Sequence, residues 1–132
     1  IYLIHNGQIE IFLKQNEIEK PNALALRNDK LFVGCTGIVY QIDIHTKKID
    51  PCVRLFPGTV IDGLQVLHDG TILMADFRGI IYQKKHQGEL SELINASGST
   101  INFSDFIYLK ERNMLIIPGL YSNSICSYMV RR

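Results

Sequence analysis

The sequence has no strong charge of one sign, no framework of cysteines and no long apolar run. Fourteen Lys and Arg against thirteen Asp and Glu leave a formal net charge of +1. That removes the electrostatic reason to expect nucleic acid or an anionic membrane as a partner. Cys35, Cys52 and Cys126 are odd in number and lack CxxC spacing. Neither a zinc knuckle nor a disulfide framework is therefore expected, and the three read as free core thiols. No apolar run reaches the roughly 18 residues of a spanning helix, and the pattern of a signal peptide is missing. The chain opens inside a strand-like run, Ile1-Tyr2-Leu3-Ile4, without Met, and is expected to be a piece of a longer protein. His5, His45, His68 and His86 form no HxH or HExxH pattern, and Ser99 and Ser104 stand outside any GxSxG elbow. The basic clusters Lys84-Lys85-His86 and Arg131-Arg132 read as a solvated turn and an exposed terminus. No segment holds a 3.6-residue apolar period for about ten residues, which excludes a helical solenoid.

What is present is a repeat. Hydrophobic residues make up 46% and charged residues 20%, the balance of an ordinary globular domain. Pro21 to Leu26 aligns with Ile61 to Val66 and again with Ser104 to Leu109, at offsets of 40 and 43 residues. Each copy runs into a polar turn (Asn28-Asp29-Lys30, His68-Asp69-Gly70, Glu111-Arg112-Asn113) and then into a second apolar strand. A third strand carries a tyrosine in register, Tyr40, Tyr82 and Tyr128, and Tyr2 fits the same slot. These tyrosines read as packing between repeats. A fourth, more polar strand closes two of the copies, near Ile49 to Phe56 and Glu89 to Ile94.

Four short strands in about 40–45 residues is the spacing of a β-propeller blade. The expected fold is all-β, a propeller of four-stranded blades. The chain divides into the end of one blade (1–15), two complete blades (16–56 and 57–96) and a last blade lacking its outer strand (97–132). Thirteen strands cannot close a ring of such blades. The expectation is therefore the C-terminal half of a six-bladed ring, whose missing N-terminal half is its partner and supplies the outer strand.

In such a ring the residue heading each innermost strand faces the mouth of the central channel. Asn22, Asp62 and Asp105 hold that position in three successive repeats. Oxygen ligands projected from separate units are one way to hold a hard divalent cation. Asn and Asp also favour strand entries because they bond their own backbone in turns, so a purely structural role stands beside the ligand role.

At these residues the sequence resembles the SMP-30/gluconolactonase/LRE-like family of six-bladed propellers. The segments that carry the resemblance are PNALAL (Pro21 to Leu26), IDGLQVLHDGTILMADFRGIIYQ (Ile61 to Gln83) and SDFIYLKERNMLIIPGLYSNSICSY (Ser104 to Tyr128). The third looks most like a bacterial, often exported branch, which implies a periplasmic or extracellular protein. The resemblance implies Asn22 and Asp62 as ligands of a divalent cation (calcium, zinc, magnesium or manganese). It further implies Asp62 as the general base of a lactone hydrolysis. The family's glutamate ligand belongs to a blade outside this chain, Ala23 stands where the family commonly has glycine, and Asp105 is not a standard ligand. Two functions follow as expectations: a metal-dependent lactonase acting on a small molecule, or a non-catalytic module that binds a ligand or a partner protein.

Overall fold

The computed structural model describes residues 1–130; the Arg131-Arg132 cluster lies outside the described residues. Thirteen strands form four antiparallel sheets of two, four, four and three strands, with each strand paired only to its neighbours in the chain. The first sheet is a hairpin of β1 (Tyr2–His5) and β2 (Gln8–Ile11). The second holds β3 (Ala23–Arg27), β4 (Lys30–Cys35), β5 (Ile38–Asp43) and β6 (Ile49–Arg54). The third holds β7 (Ile61–Val66), β8 (Ile72–Asp76), β9 (Ile80–Lys84) and β10 (Leu90–Asn95). The fourth holds β11 (Ile107–Leu109), β12 (Met114–Gly119) and β13 (Ser124–Met129), with a single 3-10 turn at Lys110–Arg112.

The all-β expectation and the strand count hold, but the propeller does not. Among the described residues no sheet closes and the four sheets form no ring, so the expected half of a six-bladed propeller is not what the structure shows. The reason is the range of the signal. Turn residues and period-2 alternation specify each strand-turn-strand unit locally. A ring needs its first and last sheets to be covered as well, and here both flanks expose apolar side chains: Tyr2, Ile4 and Ile9 at one, Ile125 and Met129 at the other.

Alternation explains how the sheets stack. In β4, Phe32 faces the third sheet, while Leu31, Val33 and Cys35 face the other way, onto Leu13 and Ile18 of the β2–β3 connection. In β8 both faces are covered. Ile72 and Met74 join the core shared with the second sheet; Leu73 and Ala75 join the core shared with the fourth, beside Phe103, Leu115 and Ile117. A strand buried on both faces reads as a continuous apolar run, which is what Ile72 to Ala75 is. Of the repeated tyrosines, Tyr82 is buried between the second and third sheets, Tyr40 packs on the far side of the second, and Tyr128 meets the Phe103 ring edge-on at 6.4 Å. Tyr2 is 70% exposed and packs no interface.

Two glycines set how closely the sheets approach. A Cβ on Gly34 would lie 2.7 Å from Ile61 Cγ2, and one on Gly63 would lie 2.9 Å from Phe106 Cδ1. Both sit near the strand ends where Asn22, Asp62 and Asp105 gather.

Candidate functional site

Asn22 immediately precedes β3, Asp62 is the second residue of β7, and Asp105 stands just before β11. The backbone N–H of Asn22 donates to Gly34 O at 2.9 Å, which fixes its place beside the sheet. Asp62 owes its direction to a register shift. Ile61 pairs with Asp76 and Gly63 with Ala75, leaving Asp62 as the extra residue of a β-bulge. A bulge re-aims a side chain without ending the strand. The Asn22 Nδ2 donates to Asp62 Oδ1 and, at 3.2 Å, to Ile61 O. The two residues that share a slot 40 positions apart therefore meet across the second and third sheets. Burial pushes the Asp62 carboxyl above its ordinary range; the Asn22 hydrogen bond opposes that shift, and the negative charge of Asp76 adds to it.

Asp105 sits on the next sheet's side of this row. A Cβ on Gly63 would come within 3.1 Å of Asp105 Oδ1 and of its Cα, and Asp105 Oδ1 accepts the Phe106 N–H at 2.8 Å. The carboxylate thus caps the turn into β11, as short acidic side chains commonly do at strand entries.

These residues do not make a cation site by themselves. A divalent cation would take the amide oxygen of Asn22, whereas this amide turns its N–H toward the carboxylate. Among the described residues no three His, Cys, Asp or Glu side chains converge as a metal-holding group.

A second polar group at the same strand ends was not singled out by sequence reasoning. Asp76 ends β8 with only 1% of its side chain exposed, and Arg78 grips it through Nε at 3.0 Å and Nη2 at 2.6 Å to Oδ2. Arg78 Nη2 also donates to the buried Thr59 hydroxyl at 3.1 Å. The Arg78 backbone N–H donates to Asp76 Oδ1 at 3.0 Å, so the turn and the ion pair lock each other. Next to it, Phe77 meets Tyr121 of the β12–β13 turn edge-on at 6.1 Å. The signal available in the sequence was an acidic residue ending an apolar run, with an arginine two positions on.

No family model and no curated protein matches the chain. Solved structures do. The extracellular domain of a one-component system protein, BT4673, from B. thetaiotaomicron is similar at a TM-score of 0.63 and 15% identity, over 93% of this chain and 18% of that one. The extracellular domain of a hybrid two-component system, again BT4673, is similar at 0.59 and 13%, over 86% of this chain and 17% of that one. A computationally designed protein, Ika4, is similar at 0.59 and 14%, over 82% of this chain and 64% of that one. The chain spans less than a fifth of the length of the two BT4673 domains. At such identities the likeness is one of fold alone. No helix among the described residues is long and apolar enough to cross a membrane.

Proposed function

We propose that this chain is part of a non-catalytic recognition module that works outside the cytoplasm and presents the row Asn22, Asp62 and Asp105 to a ligand or partner protein. The observation that carries this reading is the bulge at Asp62. It spends a ladder position to turn a carboxyl toward Asn22 at the head of a neighbouring sheet. Asn22 is exposed and Asp62 half-buried, and together they offer one amide and one acceptor-rich group to a polar solute. The extracellular setting of the similar BT4673 domains supports the compartment.

A thermal-shift screen against neutral polar solutes and short peptides tests this reading. Stabilisation by a solute that disappears in both Asn22→Ala and Asp62→Ala supports it. Hits that all survive both substitutions, or lactone hydrolysis that Asp62→Ala abolishes, overturn it.

The meeting of Asn22 with Asp62 favours a second reading, the metal-dependent lactonase of the SMP-30/gluconolactonase/LRE-like resemblance. It requires the Asn22 amide to turn over and further oxygen donors to join. Calorimetry with calcium, magnesium, manganese and zinc in turn tests it: one-to-one binding lost in Asp62→Ala supports it, and no heat with any ion removes it.

A further inference from the structure

The far ends of the same strands frame a different feature. A cleft of about 290 Å³ opens between the second and third sheets, where β3 ends at Arg27 and β9 ends at Lys84. Its lining includes Arg27, Lys30, Lys84, Lys85 and His86 and no carboxylate. In a chain with 14 basic and 13 acidic residues, such a segregation of sign is a local property of this cleft. The floor is apolar, formed chiefly by Phe32, Val66 and Ile72. Lys30 is neutralised by Asp43 at 2.6 Å, and the Asp69 carboxylate lies close enough to Arg27 to feel its charge. Among the described residues no ion pair engages Arg27, Lys84 or Lys85.

The rim is built rather than merely charged. Arg27 Nη2 donates across the cleft to His68 O in the β7–β8 turn, tying one sheet to the other. Lys84 Nζ donates to Gly88 O at 2.5 Å and to Lys85 O at 3.0 Å, which holds the ammonium at the mouth. Gly70, at φ +85°, leaves room for the His86 ring: a Cβ there would lie 3.2 Å from His86 Nδ1. Lys84 lies close enough that its charge opposes the burial that raises the Cys52 thiol on the cleft wall. Positive groups around an apolar floor match an oxyanion carried on an apolar body, and a volume near the lower end of the roughly 300–1,000 Å³ range of ligand clefts restricts that body to a single small ring or short chain.

We propose that this cleft binds a small organic oxyanion, with the carboxylate or phosphate between Arg27 and Lys84–Lys85 and the apolar body on Phe32 and Ile72. The site is separate from the Asn22–Asp62 row and stands whether or not that row binds anything.

Titration of the full chain with phenyl phosphate, benzoate and inorganic phosphate, followed by amide chemical shifts, tests the proposal. Saturable shifts at Arg27, Val66 to Ile72 and Lys84 to His86 are expected, stronger for the two aromatic anions than for inorganic phosphate. The ratio of phenyl phosphate to benzoate affinity identifies the head group. Lys85→Gln should weaken binding about tenfold without touching the fold, because among the described residues its ammonium makes no ion pair; Asp62→Ala should leave binding unchanged. Shifts that never saturate, shifts equally strong at Lys47 and Lys48, or unchanged affinity in Lys85→Gln would overturn it.

Discussion

The third sheet and the first are made of similar residues and meet opposite fates. β8 reads Ile-Leu-Met-Ala-Asp and is buried at every position; β1 and β2 read Tyr-Leu-Ile-His and Gln-Ile-Glu-Ile and are exposed at every position. Composition does not separate them. What differs is that β8 has a sheet on each side, while the strands of the first sheet have none; that hairpin meets the second sheet through its flanking residues, Ile1, Phe12 and Leu13, which pack with Val33 and Cys35. A two-stranded hairpin alone is marginal in water. Burial here is thus conferred by neighbours rather than by sequence, and it falls from the middle sheets toward the flanks.

Cutting into the middle should break that contrast most. Met74 is fully buried between the second and third sheets, and Met74→Ala should cost about 2–5 kcal/mol in chemical denaturation. Gly34→Ala pushes a methyl against Ile61 Cγ2 and should cost about 1–3 kcal/mol by the same measurement. A smaller effect, readable through pH, is expected at Asp62. Its carboxyl is raised in the folded chain, so the stability it contributes is present while it is protonated, below the ordinary carboxylate range near about pH 4. That contribution is lost as pH rises through the raised value. Asp62→Asn keeps an acceptor for Asn22 and cannot ionise, so the variant should gain on the parent between acid and neutral pH and match it in acid. Ile9→Thr, in the exposed hairpin, should change the denaturation midpoint by no more than about 0.5 kcal/mol of stability. A loss as large as that at Met74 would mean that the first sheet is covered in solution.

The same contrast shows what could be read beforehand. Strand positions, turns and the shared slot of Asn22 and Asp62 were legible because each is written in a handful of adjacent residues. The direction of Asp62 was not, because a bulge is a relation between two strands: Ile61 and Gly63 both look like ordinary strand residues until their partners Asp76 and Ala75 are known. The grip of Arg78 on Asp76 was hidden for a similar reason. The burial of that carboxylate comes from the sheets stacked on both sides of β8, whereas its sequence neighbourhood, Asp-Phe-Arg-Gly, reads as a surface turn. The basic cleft is not legible in the sequence because Arg27 and Lys84–Lys85 come from different repeats and form no run. The ring was over-read: a repeat constrains each unit and leaves open whether the units close.

Taking Asp62 out would leave a strand in which Ile61, Leu64 and Val66 still face the second sheet, Gly63 and Gln65 still face the fourth, and every remaining rung keeps its partner. The ladder would be more regular without it. In the language of inheritance, Asp62 is a spare letter: strike it out and the rungs on either side, Ile61 with Asp76 and Gly63 with Ala75, still read in order.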